Sequence, residues 1–275
     1  MKILVIGDYI SDVYTFGTAT RLCPEAPVPV LSYKGTYDKS TDGGAGLVLN
    51  QLRELGANCE AAFGSWSTKH RIFAGNQLVC RLDCDTHDEM PLSFNQSSEF
   101  DPAGLGINQW DAFVVSDYGK GAMTRELARQ IVRTGKPCFV DAKHHWDWYE
   151  GHNSTAFPNE YEDAPNYPKV AKKLGAQGAR LIESYKQFSE PLLEIRATVS
   201  EVVDVTGAGD IFMASFVYAW SIQLPVEDCL RFANELAGES CRHRGTYVVP
   251  REFAQSVLGR LPASRASEPR IVDCF

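Results

Sequence analysis

The chain has 275 residues, 44% hydrophobic and 23% charged, a globular composition that excludes a disordered, collagen-like or small disulfide-stapled chain. Its net charge of −8 removes the broad basic field that drives nucleic-acid binding, while local cations and backbone amides can still hold a small anion. The eight cysteines are scattered without a CxxC pair, which points to reduced thiols, a cytoplasmic setting and no zinc site.

In chain order, residues 3–6 predict a buried parallel strand ending in Gly7-Asp8, too short for a signal-peptide core. Residues 13–16 and 28–37 alternate as strands with one exposed face, and Pro27 and Pro29 suit a sheet edge. Gly43-Gly44 opens a helix that runs to Leu55 and closes at Gly56. Residues 113–115, a helix over 124–133 capped by Thr124, and residues 138–140 make a βαβ unit. Residues 154–168 read as loop. Residues 208–223 and 226–242 read as two long helices, and 262–275 as a flexible tail. The longest apolar stretch, 211–224, is broken by Ser215, Ser221 and Gln223 and falls short of a membrane span. The fold expected is α/β, with ligands gathered at the carboxyl ends of its strands.

The strongest chemical signal is the run Val203-Asp204-Val205-Thr206-Gly207-Ala208-Gly209-Asp210, leading into an apolar helix. The glycines allow a sharp turn and close approach, and the first helical N–H groups lack internal partners, so the run forms an anion hole. An aspartate there would repel a bound anion, but it suits a base that takes a hydroxyl proton beside a phosphate. The plainer alternative is a glycine-rich helix entry with Asp210 as a cap. Walker A, GxGxxG, HExxH and GxSxG patterns do not occur. The chemistry requires the carboxylate and the loop amides to face an open cleft.

The Asp-Val-Thr-Gly-Ala-Gly-Asp run resembles the C-terminal signature of the PfkB, or ribokinase-like, carbohydrate kinases, and Gly43-Gly44-Ala45 resembles their N-terminal glycine signature. Gly7-Asp8, Arg21 and Pro24 to Pro29 are similar to the start of the heptose 7-phosphate kinases, the kinase half of a bifunctional enzyme of ADP-heptose synthesis. Asn76-Gln77, Arg81-Leu82-Asp83, Ser116 to Ala122, Asp141-Ala142-Lys143 and Pro158-Asn159 follow in the same order. The resemblance implies one ribokinase-like domain over 1–275: a three-layer sandwich around a mostly parallel sheet, with a β-lid from strands at about 12–40 and 70–83. It implies Asp210 as catalytic base, with Gly207, Ala208 and Gly209 as the anion hole. Asp8, Asp12, Gly43 and Gly44 fall at the sugar. Lys143, Asn159, Gly175, Gly178 and Asn234 fall on the nucleotide side. ATP with Mg²⁺, a monovalent cation such as K⁺, and a homodimer through the lid are further implications. No metal-ligand set is assigned, and neither nucleic acid nor membrane is expected as a partner.

A sugar 7-phosphate needs a cationic clamp, for which Arg21, Arg71, Arg81 and Lys120 are the candidates. Lys69, His144 and His145 read as solvated loop residues, and Trp146, Trp148 and Tyr149 as a plain aromatic cluster. Three features depart from the family. Leu47 stands where a sugar-contacting Asn is usual, and the segments 64–69 and 162–172 are short. No HxGH motif occurs, so the relatives' second activity is expected to be absent. The activity expected is transfer of the γ-phosphoryl group of ATP to a sugar hydroxyl, from heptose 7-phosphate to the 1,7-bisphosphate. A PfkB kinase for another sugar or nucleoside, and a trimmed non-catalytic binding relative, are the alternatives.

Overall fold

The computed structural model describes residues 1–33, 39–85, 93–94, 106–164, 166–183, 191–199 and 201–262. Its first elements are β1 (Ile3–Leu22), β2 (Pro29–Ser32), β3 (Lys39–Gly44), α1 (Ala45–Leu55), β4 (Cys59–Ala74), β5 (Gln77–Asp85) and β6 (Ser93–Phe94). Next come β7 (Ala112–Asp117), α2 (Arg125–Arg133), β8 (Cys138–Ala142), β9 (Ser154–Ala156), β10 (Lys169–Lys173), β11 (Ala179–Glu183) and β12 (Pro191–Ile195). Three helices follow: α3 (Ala208–Ser221), α4 (Val226–Ser240) and α5 (Arg251–Leu258). The strands form one sheet in the order β12-β11-β10-β9-β8-β7-β1-β4-β5, with β2 and β3 on β1 and β6 on β4. Its centre is parallel, from β10 through β9, β8, β7 and β1 to β4.

Successive residues of the central strands face opposite layers. Ile3, Val5 and Val114 pack with α1, α3, α4 and α5, while Leu4, Ile6, Val115 and Val140 pack with α2. Both faces are therefore covered, which is why these strands read as unbroken apolar runs. In α3, residues 211 through 217 are all buried. A helix apolar around its whole girth is a core element, so the position of its first turn is fixed by packing. Thr124 caps α2 by accepting the Leu127 amide at 3.2 Å, and Gly56 closes α1 in the left-handed conformation, as the sequence predicts. No helix among the described residues is long and apolar enough to cross a membrane.

Two expected strands, 13–16 and 3–6, are one strand of 20 residues, β1. It pairs in parallel with the 16-residue β4 from Ile3 beside Cys59 out to Gly17 beside Ala74. A single register shift at Gly7/Asp8 leaves Gly64 as a bulge. The shortness of 64–69 thus has a direct structural result: β4 runs from the core into the outer sheet without a break. The outer halves of β1 and β4, joined by β2, β3 and β5, occupy the place of the expected lid. Residues 154–156 are a strand instead of loop, because they extend the parallel ladder of β8. Strands β10, β11 and β12 and helix α5 were not anticipated. Residues 34–38 of the expected lid strand, and the tail from 263 on, lie outside the described residues.

Candidate active site

Asp8, where the pairing of β1 with β7 stops, lies level with Asp117 and Asp141 at the carboxyl ends of β7 and β8. Asp8 is completely buried and accepts four hydrogen bonds. They come from Ser65 Oγ at 2.6 Å and from the amides of Tyr118 at 2.6 Å, Lys120 at 3.1 Å and Ala122 at 3.0 Å. Four donors fill the accepting capacity of a carboxylate. Asp8, expected at a sugar hydroxyl, here clamps the loop that follows β7. Asp117 accepts from the Gly119 amide at 2.9 Å and the Tyr149 hydroxyl at 2.5 Å. The clamped loop delivers the Tyr118 hydroxyl to both oxygens of Asp210, each at 3.1 Å.

Asp210 sits in the first turn of α3, entered through Gly207 in the left-handed conformation. A side chain at Gly207 would be strained by its φ of 78° and would strike Leu47. Leu47 is buried, and its methyl group packs against that turn instead of opening towards a sugar. Asp204 ties the turn in place, accepting from the Thr206 amide at 3.0 Å, the Thr206 hydroxyl at 2.7 Å and the Gly245 amide at 2.9 Å. Residues 206–209 are partly exposed, but Asp210 is only 3% exposed, so the expectation that the carboxylate faces an open cleft is not met: its oxygens are occupied by the Tyr118 hydroxyl, which an acceptor would have to displace. Burial, followed by the negative charge of Asp141, raises the Asp210 carboxyl to about 7. Lys173, the Tyr118 bond and Lys143 pull the other way. Lys173 pairs with Asp141 and lies against Gly209, so a cation borders the loop amides.

On the nucleotide side the predicted residues fall into two groups. Lys143 Nζ meets Glu162 Oε1 at 3.0 Å, and Glu162 also accepts the Asn159 amide at 2.9 Å. Burial opposes the charge on Lys143, but Asp141 and Glu162 outweigh it and hold the ammonium above its usual range. Gly175 lies beside Glu160. Gly178 and Asn234 form the second group at the end of β12: Gly178 packs on Ile195, and Asn234 Nδ2 donates to the Arg196 carbonyl at 2.9 Å. Asn234 lines a groove of about 300 Å³ with Ile195, Thr198 and Arg231.

On the sugar side Asp12 is buried and ion-paired with Arg71. Its carboxylate lies against Gly43, where a Cβ would collide with it, and Gly44 begins α1. Arg81 is exposed and holds Asp83 with two bonds of 2.7 and 2.8 Å. Lys120 pairs with Asp85. Arg21 is exposed at the outer end of β1 and makes none of these contacts. Lys69 is not a loop residue: it lies half-buried in β4, with its ammonium 5.2 Å from the centre of the Tyr118 ring. His144 and His145 are exposed, as expected.

Among the described residues no three His, Cys, Asp or Glu side chains gather as a metal site. Mg²⁺ fits such a setting, since it is usually held by one or two carboxylates and the substrate's phosphates. Asp141 Oδ1 is buried without a hydrogen-bond partner and is the group suited to that ion, while both oxygens of Glu162, the other carboxylate there, are engaged by Lys143 and the Asn159 amide. Sequence reasoning missed Tyr118, Glu162 and Lys173 as site residues. The signal for Glu162 was its place three residues after Asn159. Tyr118 and Lys173 become visible only when the loop and β10 are folded beside α3.

Residues 151–252 match the model of the pfkB family carbohydrate kinases. The bifunctional protein HldE of a Nitratiruptor species is 30% identical over 86% of this chain and 60% of its own length. That of Gluconobacter oxydans is 28% identical over 98% of this chain and 67% of its own length. The chain therefore spans about three fifths to two thirds of these relatives. The ribokinase of Thermotoga maritima superimposes with a TM-score of 0.67 at 13% identity, over 94% of this chain and 99% of that one. Phosphofructokinase-2 of Escherichia coli, in complex with potassium, gives 0.67 at 14% identity over 94% and 97%. Together these similarities support the enzyme class expected from the motifs, a phosphotransferase with an alcohol acceptor. In sequence over residues 151–252, and in fold over most of its length, the chain is similar to the pfkB, ribokinase-like carbohydrate kinases.

Proposed function

We propose that the protein transfers the γ-phosphoryl group of ATP to a hydroxyl of a sugar, with heptose 7-phosphate as acceptor and O1 as the attacking atom. The observation that carries this reading is Asp210. Its carboxyl titrates near neutrality, in the first turn of a buried helix, beside partly exposed loop amides. A base with that pKa is half-ionised at physiological pH and can accept a hydroxyl proton. The acceptor hydroxyl takes the place of the Tyr118 hydroxyl at the carboxylate. The amides of Gly207, Ala208 and Gly209, bordered by Lys173, receive the charge on the transferring phosphoryl group. Mg²⁺, held through Asp141, supplies neutralisation of the phosphate charge. Lys143, Asn159, Gly175 and Gly178 bind the nucleotide phosphates, and the groove at Asn234 takes the base. A monovalent cation belongs to the same proposal, at the turn that Asp204 organises.

We further place the protein in the cytoplasm, where ATP is available, as a homodimer through the outer sheet. Leu82 of the edge strand β5 is 57% exposed, on a face suited to a second copy. Sedimentation of Leu82→Lys beside the wild type tests the dimer: the variant sediments as a monomer, and an unchanged dimer removes this edge as the interface. The activity is tested by ADP release across sugars and sugar phosphates. Heptose 7-phosphate is expected to give the highest kcat/KM. A clear preference for an unphosphorylated pentose, hexose or nucleoside would overturn the substrate assignment and leave the kinase chemistry in place.

A further inference from the structure

The lid-side face of the site carries a row of charges from three neighbouring strands. Asp12 of β1 is in register with Lys69 of β4, and Lys69 with Asp83 of β5. Two residues along, Arg71 is in register with Arg81. Residues directly paired in a sheet, and residues two apart, project to one face. The row therefore holds three cations and two carboxylates. Both carboxylates are taken: Arg71 pairs with Asp12, and Arg81 grips Asp83. Among the described residues, no carboxylate lies within ion-pair distance of Lys69. It rests instead over the face of Tyr118, the residue that holds Asp210.

A half-buried ammonium has lost part of its hydration, and here no ion pair replaces it. Burial, with Arg81 and Arg71 close by, holds Lys69 below the usual lysine range, although the charges of Asp12 and Asp210 pull the other way. Beside Asp210 the nucleotide side has no such surplus. There Lys173 is matched by Asp141 and Lys143 by Glu162. Of the four residues that suit a phosphate clamp, Arg71, Arg81 and Lys120 are each bound to a carboxylate, and Arg21 lies exposed at the outer end of β1. Beside Asp210, the unmatched positive charge thus lies on the acceptor side.

We propose that Lys69 is the specificity-determining residue of the acceptor pocket, binding the phosphate group of a phosphorylated sugar by a charge-assisted hydrogen bond. This rests on the kinase reading above, and it assigns to one residue the selection of an anionic acceptor. Lys69 takes no part in proton transfer, and its effect is on binding.

The test compares wild type, Lys69→Met and Lys69→Arg with heptose 7-phosphate and with unphosphorylated heptose. Loss of one charge-assisted bond corresponds to about a 10–100-fold change. The expected result is that Lys69→Met lowers the preference for heptose 7-phosphate over heptose by that factor, through KM and not kcat. Lys69→Arg, which keeps the charge, restores most of it. An equal fall in kcat with both acceptors would overturn the proposal, since it would place Lys69 on the transferring phosphoryl group. Calorimetric titration with heptose 7-phosphate reads binding without turnover, so it separates the two readings. If no ADP is formed by the wild type, the kinase reading fails, yet weaker binding to Lys69→Met than to wild type still supports the clamp. Equal affinity of the two proteins, or no binding to the wild type, overturns it.

Discussion

Asp210 and Tyr118 work as a pair at the scale of single side chains. A carboxylate buried beside Asp141 favours its protonated form, and the Tyr118 hydroxyl is one of the few groups that favour the ionised one. The active state requires the ionised form, so kcat/KM should rise with pH through an acid limb near about 7. Tyr118→Phe removes a bond that stabilises the carboxylate, so the Asp210 pKa moves further up. The acid limb of the pH–rate profile then shifts to higher pH, and turnover at pH 7 falls severalfold. A limb that stays in place in Tyr118→Phe would separate the tyrosine from the base. Asp210 and its glycines were legible in the sequence because a local run of eight residues carries them. Tyr118 was not, since its partner lies 92 residues away. Lys69 was misread for a related reason: only the pairing of three strands reveals that it lies on a sheet.

Asp8 shows how one residue inside a strand organises a neighbouring loop. Its four donors include three amides of the loop after β7, those of Tyr118, Lys120 and Ala122, so the carboxylate replaces the hydrogen bonds that a turn would otherwise make to water. Asp8→Asn turns one acceptor oxygen into a donor facing buried N–H groups. At about 1–3 kcal/mol per buried group left unsatisfied, the loss of stability is expected to be about 3 kcal/mol. Urea unfolding should show it as a lower midpoint, and turnover should fall as well because Tyr118 is no longer held. By contrast Thr124→Ala removes a helix cap and costs about 1 kcal/mol with turnover retained. Equal effects of the two on turnover would argue against the clamp. Helices α1, α2, α3 and α4 could be located from caps and apolar spacing. Strands β10, β11 and β12 are short and half-polar, and their signal lies in the pairing with distant neighbours.

For the molecule as a whole, the continuity of β1 and β4 is the governing feature. Both strands contribute to the central sheet and to the outer one, so the two regions share backbone hydrogen bonds along an unbroken ladder apart from the bulge at Gly64. The outer sheet is then expected to unfold together with the core. Trp66, packed on Tyr9 in β4, and Trp220, packed on Phe139 from α3, report on the two regions. Single-tryptophan variants at these positions should give the same urea midpoint. An earlier transition at Trp66 would show that the outer sheet opens by itself. The three-layer α/β fold was readable from motif order, while the fusion of two expected strands was not. An unbroken apolar run before Gly7-Asp8 and a mixed apolar and polar pattern after it do not show that the strand continues through them.

The central claim is that Asp210 takes the proton from the acceptor hydroxyl. It is tested most directly by ADP formation from ATP, Mg²⁺ and heptose 7-phosphate in wild type and Asp210→Asn, with ATP affinity measured on the same samples. Removing a well-placed charged group of this kind lowers turnover by about 10²–10³ or more. The account predicts such a fall with ATP affinity within about threefold of wild type. Turnover by Asp210→Asn equal to that of the wild type would contradict it.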